Sequence, residues 1–357
     1  MTTWQEIFRR VPRHWFVPET VWTRGEDGFM VPLRRTDNPD RWLELCNDPN
    51  EAIVTQVDGG AEQYGIVPTS SSSAPDVMAD MLDALDVEPG MRVLEIGTGT
   101  GYNAAVLAER VGAARITTVE ADPAIAEHAN TALRQAGYPA TVITGDGADG
   151  YPPHAPYDRV IATAAATHIP YAWVEQSRPG GRIVLPWTST FAAGALLALT
   201  VRADGSADGG FTERLGFMRL RGQRTGSVTE RDDTDSVETT TLVYPHELFD
   251  DDDLDADFAI GALLPGCQEG HIVADGVHTL RLVHPASGSR AEFTSGAHEH
   301  RVSQEGPRRL WDELAEAYRW WTGAGRPDRT RFGLAVTPEG QWVWLDEPDG
   351  PSWELPG

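Results

Sequence analysis

Three acidic side chains and one run of alternating glycines mark where this chain could do chemistry. Val93-Leu94-Glu95-Ile96-Gly97-Thr98-Gly99-Thr100-Gly101 is a short apolar stretch with an acid near its end, followed by three glycines at alternate positions. Glycine has no Cβ, so the backbone can turn tightly and come close to a ligand. Tyr102–Ala108 reads as the start of a helix, which presents unpaired N–H groups. Strand, glycine loop and helix in that order form a nucleotide-type site. A nicotinamide or flavin fingerprint, G-x-G-x-x-G, would need glycine at position 102, which is Tyr102. Glu120 ends a second β-rich run about twenty residues past the loop, where a carboxylate can accept both hydroxyls of a ribose. Asp146, in Gly145-Asp146-Gly147, follows a third run and is placed to meet an adenine amino group. The competing readings are a charged strand end for Glu120 and an ordinary turn aspartate for Asp146.

These groups need a scaffold, and the sequence outlines one. Arg115–Glu120, Thr141–Thr144, Tyr157–Thr163 and Arg182–Pro186 read as strands after the first. Asp122-Pro123 is an N-cap with proline at the first helical position, and that helix runs to Gly137. Strands alternating with helices imply an α/β fold with a mostly parallel sheet covered on both faces. The ligand is expected at the carboxyl ends of the strands. Ala195–Val201 and Phe217–Leu220 read as paired strands around a Gly/Asp-rich turn that complete the sheet, and residues 222–240 as a polar linker. In the tail, His278–His284 and Phe332–Thr337 are strand-like. A helix between them is opened by Pro307 and closed by Gly323, with Leu310, Trp311, Leu314, Tyr318 and Trp321 on one face. That stripe is expected to pack on the tail's own strands, a partner surface being the alternative. Pro338-Glu339-Gly340 turns before Trp342-Val343-Trp344, which predicts a closing hairpin. Residues 1–74 are a Trp-rich N-terminal segment on the substrate side, 75–224 the cofactor-binding core, and 225–357 an α+β extension that could bind peptide.

The loop, Glu-x-Gly-x-Gly-x-Gly, resembles the S-adenosylmethionine loop of class I methyltransferases, which have a Rossmann-like, mostly parallel sheet. The chain further resembles protein-L-isoaspartate O-methyltransferases. The resemblance rests on Arg13-His14-Trp15-Phe16-Val17-Pro18-Glu19, Ser73-Ala74-Pro75, Gly145-Asp146-Gly147, Ala155–Val160, Thr163-Ala164-Ala165, Ile169-Pro170 and Gln176–Arg182, and covers roughly residues 10–220. It implies S-adenosylmethionine as cofactor, S-adenosylhomocysteine as product, and a cofactor site of Glu95, Gly97, Thr98, Gly99, Gly101, Glu120, Asp146, Gly147 and Thr163. In that family the serine of an Ile-Ser-x-Pro segment lies beside the methyl-transfer site, which points to Ser73, with Ser72 next. Here the segment reads Ser70-Ser71-Ser72-Ser73-Ala74-Pro75, and the alternative is that these serines only cap the following helix. The chain also runs well past the usual end of a repair enzyme. Trp173–Gln176 and Arg308–Glu313 resemble an actinobacterial subgroup tied to ribosomal peptides with ATP-grasp macrocyclases (graspetides). That resemblance implies methylation of an aspartate in a modified precursor peptide, the ester then closing to an aspartimide.

Composition narrows the field. A net charge of −25 argues against nucleic-acid partners. No apolar run reaches the roughly eighteen residues of a spanning helix, and no signal-peptide core is visible, so a cytoplasmic location without membrane attachment is expected. Cys46 and Cys267 are too few for a disulfide framework, and no metal site is expected. The run Asp250–Asp253, with Asp255 and Asp257, lacks the pattern of a calcium loop and reads as a solvated loop. A carboxylate is ionised at neutral pH, so methyl transfer to it needs positioning rather than a base. Three functions follow: modification of a peptide aspartate, repair of isoaspartyl damage, and cofactor-dependent peptide binding without catalysis. The sequence leaves the oligomeric state open.

Overall fold

A capping box starts the chain: the Thr3 hydroxyl accepts from the Glu6 N–H, and the Glu6 carboxylate accepts from the Thr3 N–H, opening α1 (Trp4–Arg10). The computed structural model describes residues 2–191, 194–224, 236–249 and 255–355. After α1 come β1 (Thr20–Arg24), β2 (Met30–Arg34), α2 (Pro39–Asn47), β3 (Ile53–Val57) and β4 (Pro68–Ser72). The four strands form an antiparallel sheet in the order β2-β1-β3-β4. Val17, Val21, Trp42, Leu45, Cys46 and Ile53 make one of its cores, and Trp22, Met30 and Val57 another. Trp4, Trp22 and Trp42 are buried, whereas Trp15 is exposed. β4 brings three of the four serines into an edge strand. Helix α3 (Pro75–Leu85) then buries Met78, Met81, Leu82 and Leu85. Its N-cap is Ala74, with no side-chain bond to the helix, so the serines do not cap it.

The ligand-site elements follow as β5 (Val93–Ile96), α4 (Tyr102–Val111), β6 (Ile116–Glu120), α5 (Pro123–Gln135), β7 (Thr141–Thr144), β8 (Tyr157–Ala162), α6 (Tyr171–Glu175) and β9 (Ser177–Trp187). β5 is flanked by β6 and β8, both parallel to it, with Ile96 opposite Val119 on one side and Ala162 on the other. Every residue of β5 and β6 is buried, as a strand covered on both faces requires. Because the strand order reverses at β5, the loop after it opens at the switch point where such sheets bind ligands. β9 begins five residues earlier than the apolar run suggested. Pro179-Gly180-Gly181 lies inside it, and the register against β8 shifts between Tyr157 and Arg159.

The chain forms two units. The first holds everything up to Pro186 with Ala198–Asp208 and Phe217–Gly222. Its parallel strands run β9-β8-β5-β6-β7, whereas β10 (Ala195–Val201) and its neighbour β11 (Ala207–Arg214) are each divided between the two units. The partner expected for β10, Phe217–Leu220, is therefore not that strand. Asp204-Gly205 makes the turn, with the Arg202 N–H bonded to the Ser206 carbonyl, so the next strand starts at Ala207. Residues 217–220 instead run beside the end of β8, where Ala165 pairs with Arg219.

The second unit comprises Trp187–Leu197, Gly209–Gly216 and Gln223–Gly357. It contains β12 (Val237–Thr241), α7 (Asp255–Leu263), β13 (Gln268–Ala274), β14 (Val277–His284), β15 (Ser289–Thr294), β16 (His300–Glu305), α8 (Leu310–Gly323), β17 (Phe332–Thr337), β18 (Gly340–Leu345) and β19 (Ser352–Leu355). One sheet runs β12-β16-β15-β14-β13, and β17, β18 and β19 form an antiparallel ladder that continues to β11. Residues 237–241, read as linker, are a strand because their Val/Thr pattern pairs with β16. The helix stripe packs as expected, with Trp311 stacked on Phe293 of β15 at 4.6 Å. Trp187, Phe211, Phe258 and Phe332 form an aromatic core of their own. Asp250–Asp253 lie outside the described residues, while Asp255 pairs with Arg329 at 2.6 Å.

Candidate active site

The glycine loop joins β5 to α4. Gly97, Gly99 and Gly101 all have positive φ. A Cβ on Gly97 would lie 2.8 Å from the Thr163 hydroxyl, which donates to the Gly97 carbonyl at 2.6 Å. A Cβ on Gly99 would lie 3.1 Å from the Ser71 carbonyl. The structure thus brings the four-serine segment against the loop, although the two are far apart in sequence. Gly147 is close-packed for a different reason: a Cβ there would meet Ile96 Cγ2 at 2.5 Å. The buried Trp173 indole also donates to the Gly147 carbonyl at 2.8 Å.

The acids occupy distinct environments. Glu95 is fully buried, and its Oε1 accepts from Asn103 Nδ2 at 2.7 Å. Its Oε2 accepts from the Thr118 hydroxyl at 2.6 Å. Thr118 in turn lies 2.7 Å from the Thr98 hydroxyl, linking the acid to the loop. Burial pushes the Glu95 carboxyl up to about 7, against the pull of those two bonds and with a small addition from Glu120. Glu120, at the end of β6, accepts from the Gly99 N–H at 3.0 Å and from the Asp122 N–H at 3.0 Å. The carboxylate read as a ribose acceptor is therefore also a brace for the loop. Asp146 is exposed and accepts from the Ala148 N–H, the geometry of a turn aspartate. It stands beside the segment that covers the strand ends, its Oδ2 3.9 Å from a Cβ on Gly222.

The two serines separate by side. Ser72 is buried, and its hydroxyl accepts from Arg13 Nε at 3.0 Å. Ser73 is half-buried, with no hydrogen bond to its hydroxyl among the described residues. Alternation along an extended chain puts the two on opposite faces. His168, in the loop after β8, is half-buried, and burial lowers its pKa.

Several residues were not visible as site residues in the sequence. Asp122 caps α5 with one oxygen, while the other accepts from Gln56 of β3 at 3.2 Å and from Arg221 at 3.1 Å. Burial alone would raise its pKa, but those bonds outweigh it and hold it below the ordinary value. Leu220 lies 3.8 Å from a Cβ on Gly147. Only packing brings Gln56, Asp122 and Arg221 together; they share no local pattern. Among the described residues no group of three or more His, Cys, Asp or Glu could hold a metal ion, and no helix is long and apolar enough to cross a membrane. A cavity of about 420 Å³ in the second unit, lined by Glu238, Thr240, Glu292, Arg301 and Ser303, shares no residue with this site.

A mixed α/β sheet whose strands β5 to β9 run parallel, with a Glu-x-Gly-x-Gly-x-Gly loop at its switch point and an acid at the next strand end, defines a class I S-adenosylmethionine-dependent methyltransferase. Residues 60–223 match the family model for protein-L-isoaspartate(D-aspartate) O-methyltransferase. The protein-L-isoaspartate O-methyltransferase of Ignicoccus hospitalis is 48% identical over 183 residues, 51% of this chain and 71% of that protein. That of Methanopyrus kandleri is 37% identical over 184 residues, 51% of this chain and 67% of its own length. The chain therefore belongs to the protein-L-isoaspartate O-methyltransferase family and is an S-adenosylmethionine-dependent protein carboxyl O-methyltransferase. A solved structure named protein-L-isoaspartate O-methyltransferase aligns with 96% of this chain and 95% of its own, with a TM-score of 0.53 and 20% identity. At that identity the likeness is one of fold. It does mean that the length of the tail does not by itself set this chain apart from proteins of that name.

Proposed function

We propose that this chain transfers a methyl group to the free carboxylate of an isoaspartyl residue in a peptide or protein, with the acceptor held at Ser73. The observation that carries this reading is the approach of the Ser71 carbonyl to Gly99, which sets the serine segment against the cofactor loop. The loop fits an adenosyl ligand because the positive φ of Gly97, Gly99 and Gly101 lets the backbone turn tightly from β5 into α4. Glu95, Gly97, Thr98, Gly99, Gly101, Glu120, Asp146, Gly147 and Thr163 are the residues proposed to hold it. S-adenosylmethionine supplies, when bound, an electrophilic methyl on a sulfonium. The protein's part is placement. Ser73 offers a hydroxyl with no partner among the described residues, able to donate to one carboxylate oxygen. The ordinary carboxylate pKa, about 4, leaves the acceptor ionised without a base. Orientation of two bound groups accounts for about 7–11 kcal/mol of barrier in favourable cases.

A second reading is supported by the altered serine segment: the acceptor is an aspartate of a ribosomally made, macrocyclised peptide, whose methyl ester then closes to an aspartimide. Incubation with S-adenosylmethionine and matched peptides separates the two by mass. Turnover of unrelated isoaspartyl peptides supports the first. Methylation followed by loss of methanol on a cyclised precursor alone supports the second. Tight cofactor binding with no methyl transferred to either would sink both and leave a binding protein.

A further inference from the structure

Arg13 is a buried cation whose described partners are all neutral. It is 4% exposed. Its Nε donates to the Ser72 hydroxyl at 3.0 Å and one terminal nitrogen to the Ser72 carbonyl at 2.7 Å. The other terminal nitrogen donates to the carbonyls of Glu51 at 2.9 Å and Asp48 at 3.3 Å. The exposed carboxylates of Asp48 and Glu51 pull its pKa up through space, but among the described residues no carboxylate forms an ion pair with Arg13. The other ionisable groups it feels are Tyr102 and Cys46, and burial keeps both neutral by pushing them up to about 12 and about 11. Burial lowers Arg13 itself to about 10, so it stays charged at neutral pH. A guanidinium taken out of water without a direct ion-pair partner is costly, and packing alone does not require one. An apolar side chain would have filled the space.

The charge lies directly behind the serine segment. We propose that Arg13 is a positioning residue for the acceptor carboxylate: its two bonds to Ser72 fix the strand end that presents Ser73, and its charge, held in no ion pair, favours an anionic acceptor there. The inference rests on the carboxylate-acceptor reading above. It also answers a difficulty posed by composition. A chain of net charge −25 repels an anion at long range, and a local cation in a low-dielectric setting offsets that where it matters.

The test compares two ligands of one shape. An isoaspartyl hexapeptide and the same peptide with isoasparagine, its neutral amide, are titrated against the full-length wild type and against Arg13→Gln and Arg13→Lys. The expected result is that Arg13→Gln weakens binding of the carboxylate peptide on the order of tenfold, with S-adenosylmethionine affinity and amide-peptide affinity held within about twofold. Arg13→Lys should keep the preference for carboxylate over amide while turnover falls, because a lysine carries the charge without the forked geometry. Equal weakening of both peptides by Arg13→Gln would show a purely structural role and overturn the inference. If Arg13→Gln does not fold, Arg13→Lys decides: loss of the carboxylate preference with the charge retained overturns it. A wild type that shows no preference between the two peptides would instead refute the carboxylate reading on which the inference stands.

Discussion

Replacing Glu95 by glutamine should make the protein more stable at neutral pH, although it alters a residue of the cofactor motif. The carboxyl is raised from 4.5 to about 7 by burial, so the folded chain binds its proton more tightly than the unfolded chain does. Below about pH 4.5 the group is protonated in both states and contributes nothing. As pH rises from 4.5 towards 7, the unfolded chain releases the proton first and stability falls. Above 7 the full cost is present, on the order of 3 kcal/mol. Glutamine removes that dependence without leaving a hole. Thr118 can donate to the new amide oxygen, and a turn of the Asn103 amide would bring its buried Oδ1, which has no hydrogen-bond partner, against the new NH₂. Urea unfolding of both proteins without cofactor, at pH 5, 6, 7 and 8, measures the effect. The stability difference should be about 1 kcal/mol at pH 5 and grow to about 3 kcal/mol in favour of Glu95→Gln at pH 8. A difference that stays constant with pH, or one that turns against the variant as pH rises, would refute the reasoning.

Other perturbations read the site in different ways. Ser73→Ala should lower turnover on the order of tenfold or more with stability unchanged, whereas Ser72→Ala should cost about 1 kcal/mol of stability because Arg13 Nε loses its acceptor; equal effects of the two on denaturation midpoints would contradict the assignment of sides. Gly99→Ala forces a residue with φ +53 to carry a Cβ 3.1 Å from the Ser71 carbonyl, and is expected to cost about 1–2 kcal/mol and to reduce kcat more than cofactor affinity. In the second unit, Gly333→Ala places a Cβ 1.9 Å from Trp344 across the β17–β18 ladder and should destabilise by about 2–3 kcal/mol, seen as an earlier thermal transition.

Much of the catalytic scaffold could be read from local pattern. β5 to β8 are short and rich in Val, Ile and Thr, and the glycine loop, the Asp122 cap and the Pro123 start of α5 all lie where residue types place them. What pattern could not supply was long-range partnership. Glu95 showed as an acid in a motif, but its pairing with Asn103 and Thr118 comes from helix α4 and strand β6 folding onto β5. Arg13 belonged to a recognisable stretch, yet its task depends on β4, whose hydroxyls it meets from the other end of the N-terminal segment. The four serines looked like one feature; strand alternation splits them into Ser70 and Ser72 facing inward and Ser73 outward. The misread elements share a cause. Phe217–Leu220 has strand composition, but Asp204-Gly205 turns the chain early and gives the pairing to residues 207–214, two of which are glycines that suggested a loop. Val237–Thr241 looked polar because the strand is exposed along nearly its whole length, on both faces.

The central claim is that the cofactor loop and the serine segment form one site. A structure of the protein with S-adenosylhomocysteine and an isoaspartyl peptide tests it most directly. The account predicts the sulfur of the product lodged over Gly97–Gly99 and facing a carboxylate oxygen of the peptide, with Ser73 bonded to that carboxylate and Arg13 still bonded to Ser72. A thioether placed away from the glycine loop, or a peptide carboxylate bound on another face of the first unit, would contradict it.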